Sequence, residues 1–220
     1  MFYNAQRIEK DRLILTLEIG KIKFEERSCS MKSSRLSIAI TLALTLAVLS
    51  VLPVLASQFY GSGAADTIQG TSDADYINGR GGSDSLYGNA GKDEIWGMDG
   101  QDLIRGGDGN DRLNGGNGQD RIYGDSGTDT ISGDVGGDSL YGGSGNDLIR
   151  GGPGKDGLFG DDGNDRLYGE ADDDKINGKG GDDILYGGPG VDLLLGGPGY
   201  DVCYAEKADR YVDCEKVYGR

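Results

Sequence analysis

Histidine is absent from this chain of 220 residues, and cysteine, proline and tryptophan are scarce, with three, four and one residues. Without imidazole the chain has no histidine metal ligands, and no serine has a histidine to act as its general base. The segment GDSG at residues 124–127 matches the surroundings of the nucleophile in trypsin-like proteases, but the base is missing here. The absence of histidine therefore argues against serine-protease chemistry.

Basic residues are also few. The chain has 22 Lys and Arg against 37 Asp and Glu, which gives a net charge of −15. A protein with this balance repels nucleic acid and anionic membrane surfaces and attracts cations. We therefore expect no nucleic-acid partner.

Long apolar runs are missing, with one exception near the N-terminus. Residues 31–56 have the pattern of a secretory signal, with Lys32 and Arg35 before an apolar stretch and Val54-Leu55-Ala56 as the cleavage site. We interpret residues 1–30 as a non-native extension and 31–56 as a signal peptide. A retained membrane anchor is the alternative, because a spanning helix needs roughly 20 apolar residues.

Cleavage after Ala56 would release a secreted, extracellular chain that starts at Ser57. That chain would have 14 basic and 32 acidic residues, a net charge of −18, and no apolar segment long enough to insert into a membrane. Two of the three cysteines would remain, Cys203 and Cys214. In an oxidising compartment we expect them to form a disulfide, with two free thiols as the alternative.

Glycine, in contrast, is abundant and periodic. From residue 61 to residue 204 the chain repeats every nine residues without insertion or deletion, giving sixteen units of the form G-G-x-G-x-D-x-L/I-x. Position one is Gly and position six is Asp in all sixteen units, position four is Gly in thirteen, and position eight is Leu or Ile in fifteen. A flexible glycine-rich linker has no reason to keep Asp and an aliphatic residue in phase.

This pattern resembles the RTX, or haemolysin-type, calcium-binding nonapeptide repeat. Units such as GGDGND from Gly106 and GGSGND from Gly142 match its first six positions in full. The resemblance implies an all-β fold, a right-handed parallel β-roll with two nonapeptides per turn and about eight turns over residues 57–204. Residues 205–220 would form a C-terminal cap that contains the disulfide.

Within each unit, G-G-x-G-x-D has turn composition, and only the last three residues are a candidate strand with position eight facing inward. One aliphatic side chain contributes about 1.5–3 kcal/mol when buried, whereas ordering costs roughly 1–2 kcal/mol for each residue. Apolar burial alone therefore cannot fold the repeats, and another ligand must stabilise them.

Calcium is the expected ligand, because it takes 6–8 oxygen atoms from carboxylates and backbone carbonyls. Ions would lie between units n and n+2 along both edges of the roll, at most about fourteen in all. Three units, GSGAAD, GTSDAD and GEADDD, lack both the double glycine and the glycine at position four, and they are the weakest candidates. The resemblance assigns the side-chain ligands to position six: Asp66, Asp75, Asp84, Asp93, Asp102, Asp111, Asp120, Asp129, Asp138, Asp147, Asp156, Asp165, Asp174, Asp183, Asp192 and Asp201.

The function predicted is that of a secreted calcium-binding protein that folds on binding calcium and serves as a structural or surface-associated module. The repeats leave no room for a catalytic domain, so we expect that the protein is not an enzyme. The targeting tail of a separate exported enzyme is another interpretation.

An adhesion or carbohydrate-binding protein, with a cell-surface or polysaccharide partner, is the alternative from another class. It would use aromatic residues at position nine, although stacking between neighbouring strands also explains them. Two nonapeptides per turn place these residues in two outer rows: Tyr123, Tyr141 and Phe159 in one, and Tyr168, Tyr186 and Tyr204 in the other.

Overall fold

The computed structural model describes residues 56–219 and, nearer the N-terminus, the backbone of two short strands, β1 (Glu18–Ile19) and β2 (Ile22–Lys23), which pair antiparallel. The chain divides into two compact units, residues 1–53 and 54–220. Apart from β1, β2 and Ala56, the predicted extension and signal peptide lie outside the described residues. No helix in the described part of the chain is long and apolar enough to cross a membrane.

The second unit is a parallel β-solenoid of about nine turns, as predicted for a β-roll. The chain alternates between two sheets, and each strand pairs in parallel with the strand two places later in the sequence. One sheet has nine strands, β4 (Thr67–Gln69), β6 (Ser85–Ala90), β8 (Leu103–Asp108), β10 (Arg121–Ser126), β12 (Ser139–Ser144), β14 (Gly157–Asp162), β16 (Lys175–Gly180), β18 (Leu193–Leu195) and β20 (Arg210–Val212). The other has ten, β3 (Ser57–Tyr60), β5 (Asp75–Asn78), β7 (Glu94–Asp99), β9 (Arg112–Asn117), β11 (Thr130–Val135), β13 (Leu148–Pro153), β15 (Arg166–Ala171), β17 (Ile184–Tyr186), β19 (Val202–Ala205) and β21 (Lys216–Gly219).

The register of the strands follows the repeat. Ile122 pairs with Ile104 on one side and with Leu140 on the other, a step of two nonapeptides in each direction. The prediction of two repeats per turn is therefore confirmed.

Position eight forms the core between the sheets. From Ile77 to Leu194 these aliphatic side chains are at most 1% exposed, and Cys203 continues the row at 0%. At the N-terminal end Phe59 and Ile68 pack against the core but are only partly buried. The core is one side chain wide in each sheet, as the repeat predicts.

The roll extends beyond the sixteen repeats at both ends. The repeats account for β4 to β19, while β3 precedes them and β20 and β21 follow. Residues 205–220, predicted as a cap, thus continue both sheets by one strand each.

The strands are longer than the three residues predicted. From β6 to β16 they have six residues, because each runs on through positions one to three of the next unit. The ladder skips position one and resumes at position two, for example where Asp125 pairs with Gly107 and Gly143. The glycine pair therefore bends the strand at the edge of the sheet instead of ending it.

Candidate metal-binding turns

The position-six aspartates lie in two rows, one along each edge of the roll, where the chain passes between sheets. From Asp75 to Asp201 these fifteen side chains are at most 4% exposed, and Asp66 is half-buried. A buried carboxylate is costly unless its charge is compensated. The structure thus brings all sixteen predicted residues to the turns and, in fifteen of them, removes the side chain from water.

One carboxylate oxygen links each turn to the previous one. The backbone N–H of Asp93 donates to Oδ1 of Asp111 at 2.8 Å, and that of Asp111 donates to Oδ1 of Asp129 at 2.8 Å. The same bond recurs along both edges, with every position-six residue from Asp66 to Asp183 as the donor. It fixes the orientation of each carboxylate.

The second oxygen, Oδ2, is left without a partner. In the fourteen position-six residues from Asp84 to Asp201, Oδ2 is buried and accepts no hydrogen bond from any residue that the structure describes. An unsatisfied buried polar atom costs about 1–3 kcal/mol, and more when it is charged. These atoms therefore indicate a row of ligand sites.

Backbone oxygens lie beside thirteen of the fourteen free Oδ2 atoms, all except that of Asp192. A Cβ added to Gly106 would collide with Oδ2 of Asp111 and lie 2.9 Å from the carbonyl oxygen of Gly124 on the next turn. In the same gap, a Cβ on Gly127 would collide with the carbonyl oxygen of Gly109, which accepts no hydrogen bond from the described residues. Carboxylate and carbonyl oxygens that face one gap are the donor set that calcium prefers.

Side chains alone do not complete such a site. Within the described residues, no group of three or more His, Cys, Asp or Glu side chains could hold a metal ion. A cation in these gaps must therefore take much of its coordination from backbone carbonyl groups.

Unit thirteen has the same turn as its neighbours although its sequence is GEADDD. Glu170 at position two and Asp172 at position four have φ of 77° and 78°, the left-handed conformation that glycine adopts in other units. Oδ2 of Asp174 is unpartnered as elsewhere. The missing glycines change the composition of this turn and leave its geometry intact.

The first two units are different. The backbone N–H and hydroxyl of Ser62 donate to Oδ2 of Asp66 at 2.6 and 2.8 Å, and those of Thr71 donate to Oδ2 of Asp75 at 2.6 and 3.0 Å. The bonds from Ser62 lower the pKa of Asp66. The Oδ2 atoms of Asp66 and Asp75 are therefore satisfied, which distinguishes them from all later units, whereas Oδ1 of Asp75 is buried without a partner among the described residues.

Burial raises the pKa of the other aspartates in the cation-free roll. It is raised to about 7 for Asp120, Asp129 and Asp165, first by loss of water and then by carboxylates on neighbouring turns, against the opposing effect of the backbone N–H. The same causes raise the pKa of Asp93 to about 6. A divalent cation would reverse this effect because it compensates the charge.

Two acidic residues beyond the repeats take part in the same rows, and the sequence pattern did not reveal them. The N–H of Asp192 donates to Oδ1 of Asp209 at 3.0 Å, and that of Asp201 donates to Oε2 of Glu215 at 2.7 Å. Their spacings are 17 and 14 residues, whereas all repeats keep 18. In the sequence, only the acidic character of these two residues indicated that they could continue the rows.

The disulfide is present between Cys203 and Cys214, as predicted, with 6.0 Å between the α-carbons. It joins the last repeat to the turn before β21. The alternative of two free thiols is therefore wrong for this structure.

The aromatic residues at position nine stack in two rows on the outer faces. Tyr141 lies between Tyr123 and Phe159, with ring centroids 4.8 and 4.9 Å apart. In the other row Tyr186 lies between Tyr168 and Tyr204, at 4.6 and 4.2 Å.

Ring faces at the ends of these rows also have contacts. Arg105 lies over Tyr123 and Arg150 over Tyr168, at 4.5 and 4.7 Å from the ring centroids. Tyr218 stacks on Tyr204. Because these ring faces contact one another or a cation, stacking between neighbouring strands explains the two rows.

Comparison with known proteins agrees with this geometry. The family model for the RTX calcium-binding nonapeptide repeat matches four times, over residues 60–95, 96–131, 132–167 and 168–203. No curated protein matches the chain. Repeats of this family bind calcium, and the four matches cover more than half of the sequence. The chain therefore belongs to the RTX family of calcium-binding nonapeptide repeat proteins.

Proposed function

We propose that the protein is secreted and that its roll folds when calcium binds in the gaps between turns, giving an extracellular structural module without catalytic activity. The observation that carries the proposal is the row of buried carboxylates whose Oδ2 atoms have no partner. Secretion is supported by the signal pattern in residues 31–56 and by the disulfide. The lack of catalysis is supported by the absence of histidine and by the share of the chain that the roll occupies.

One ion is assigned to each gap in which a free Oδ2 faces the position-one carbonyl oxygen of the unit two places later. Twelve gaps between repeats meet this condition, fewer than the fourteen that the repeat number allows. Asp66 and Asp75 are excluded because Ser62 and Thr71 satisfy their Oδ2 atoms. The twelve ligands are Asp84, Asp93, Asp102, Asp111, Asp120, Asp129, Asp138, Asp147, Asp156, Asp165, Asp174 and Asp183.

Folding is coupled to binding in this proposal. Without calcium the roll must bury carboxylates that repel one another, and the apolar core of one aliphatic side chain per repeat is too small to offset this. Extracellular calcium modules have dissociation constants of about 10⁻⁴–10⁻³ M, so the chain would remain unfolded in a low-calcium cytoplasm.

Circular dichroism during a calcium titration tests the proposal. We expect a reversible gain of β signal at about 10⁻⁴–10⁻³ M calcium, which magnesium does not produce because it prefers a rigid octahedral shell. Asp165→Asn removes the charge at Oδ2 and should reduce the number of bound ions by one. Asp162→Asn, an exposed residue of the same unit, is the matched control and should bind the full number. A β signal that is unchanged by calcium and by chelator would refute calcium-dependent folding.

N-terminal sequencing of the native protein tests the secretory part. We expect the chain to start near Ser57. A start before Met31, or an uncleaved apolar segment, would contradict secretion by this route.

A further inference from the structure

After the last repeat the chain makes one more turn with the hydrogen bonds of a repeat and a different sequence. The N–H of Gly196 donates to the carbonyl oxygen of Val212 at 3.0 Å, and the N–H of Lys216 donates to that of Asp201 at 3.1 Å. In the repeats the same two bonds join position one to position nine of the next unit, and position seven to position six of the unit two places earlier. Val212 therefore corresponds to position nine before one further turn, and Lys216 corresponds to position seven after it.

Only three residues, Asp213, Cys214 and Glu215, connect these two positions, where a repeat has six. Glu215 takes over position six, because its Oε2 accepts the N–H of Asp201 at 2.7 Å. A glutamate is one methylene longer than an aspartate, and this reach compensates for the short turn. Asp213 has φ of 52°, a left-handed conformation like those of the repeat turns.

The gap between this turn and the last repeat has the features of the repeat sites. A Cβ on Gly196 would collide with the carbonyl oxygen of Asp213 and lie 2.6 Å from Oδ2 of Asp201. Asp201 is 0% exposed, and its Oδ2 has no hydrogen-bond partner among the described residues. A buried carboxylate oxygen thus faces a carbonyl oxygen, as in the repeats, with the carboxylate of Glu215 beside them.

The neighbouring gap also has a buried, unpartnered Oδ2, that of Asp192, but it differs in the facing carbonyl oxygen and so provides an internal comparison. A Cβ on Gly187 would meet only atoms of Asp192 as its nearest contacts, without a carbonyl oxygen from the turn that contains Asp209. Of the two turns that follow the repeats, only the one with Glu215 reproduces the arrangement of donors.

The disulfide holds this arrangement together. Cys214 lies between Asp213 and Glu215, and it is bonded to Cys203, two residues after Asp201. The covalent link therefore positions the donors of both turns against each other, in place of the residues that the short turn lacks.

We propose that Asp201, the carbonyl oxygen of Asp213 and Glu215 form a further calcium site at the C-terminal end of the roll, maintained by the Cys203–Cys214 disulfide. The site rests on the proposed function, since it uses the same chemistry as the gaps between repeats. The repeat pattern does not predict this site, because no nonapeptide follows the last unit to supply the second set of ligands for Asp201. The site also makes the binding of one ion dependent on the redox state of the protein.

Counting bound calcium by equilibrium dialysis of the full chain tests the site. Glu215→Gln should bind one ion fewer than the wild type while its β signal in calcium is retained. Glu206→Gln makes the same chemical change at an exposed position of the same tail and should bind the wild-type number. Equal counts for Glu215→Gln and the wild type would overturn the site, whereas a wild type that binds no calcium would instead refute the proposed function.

Two further measurements separate the contribution of the Glu215 side-chain length from that of the disulfide. Glu215→Asp keeps the charge and removes one methylene, and it should also bind one ion fewer. Reduction of the disulfide should cost the wild type one ion and cost Glu215→Gln none. A full count in Glu215→Asp would contradict the role of side-chain length, and a full count in the reduced wild type would contradict the role of the disulfide.

Discussion

At the scale of the residue, the first positions of the repeat have different requirements. Position one is always glycine because a Cβ there would occupy the space between the carboxylate and the next carbonyl oxygen, as at Gly106. Position two is left-handed and yet accepts residues such as Arg80, Met98 and Lys179. A left-handed non-glycine residue costs roughly 1–2 kcal/mol, which the surrounding fold and its ligand must offset.

Two adjacent glycines at positions three and four of unit fourteen allow a similar comparison. Gly181 has φ of 128° and a Cβ there would collide with the carbonyl oxygen of Gly163, whereas a Cβ on Gly180 would have only ordinary contacts at 3.8 Å or more. Gly181→Ala should therefore lower the free energy of unfolding of the calcium-loaded protein by more than about 1–2 kcal/mol. Gly180→Ala should leave it unchanged or raise it by up to about 1 kcal/mol, because it reduces the entropy of the unfolded chain. Urea unfolding in saturating calcium measures both, and equal losses would contradict this account.

The sequence identified every position-six aspartate but could not show which of them has a free Oδ2. Missing glycines made units one, two and thirteen the weakest candidates, and in units one and two Ser62 and Thr71 satisfy Oδ2 of Asp66 and Asp75. Conversely, unit thirteen looked irregular, and yet Glu170 and Asp172 adopt the left-handed turn. Backbone dihedral angles that both glycine and polar residues can adopt are not determined by residue identity alone.

At the scale of the strand, the repeat predicted the pairing and the buried row but not the strand length. The position-eight side chains lie in register because every strand is displaced by the same 18 residues. The extra three residues of each strand come from glycine-rich positions that resemble turns in composition. β20 and β21 were not predicted, since the spacing of their acidic residues departs from the repeat.

The aromatic rows should contribute to the stability of the sheets. Tyr141 has an aromatic neighbour on both sides, while Tyr87, in the same sheet and at the same repeat position, pairs with Gln69 and Arg105. Aromatic pairs contribute about 0.5–1.5 kcal/mol each beyond apolar burial, so Tyr141→Ala should destabilise the protein by about 1–3 kcal/mol more than Tyr87→Ala. Thermal unfolding in saturating calcium provides the comparison. Equal destabilisation would show that the stacking adds nothing to burial.

At the scale of the whole roll, the balance between protons and calcium should govern folding. Without calcium, the pKa of residues such as Asp129 and Asp165 is about 7 in the roll, against about 3.9 in an unfolded chain. Between these values the folded state binds more protons than the unfolded state, so the stability of the calcium-free roll falls as pH rises from about 4 to about 7. Calcium binding should have the opposite dependence, because protons compete with the ion for the carboxylates.

Acidification of the calcium-free chain should therefore favour the roll. In metal-free buffer we expect the β signal in circular dichroism to increase as the pH is lowered from about 8 to about 4.5, with the change centred near the raised pKa values of about 6–7. The affinity of the folded roll for calcium should fall over the same pH range, because protons compete with the ion for the carboxylates. A β signal that decreases on acidification would show that the buried carboxylates do not oppose folding.

The odd number of strands in the roll sets where its two ends emerge. Because β3 and β21 both belong to the ten-stranded sheet, the first and last strands of the roll lie on the same side of it. Ten strands at about 4.8 Å place these ends roughly 43 Å apart. If calcium folds the roll as proposed, the loaded roll would hold its two ends at a fixed distance and in a fixed orientation, and removal of calcium would replace this spacer with a flexible tether.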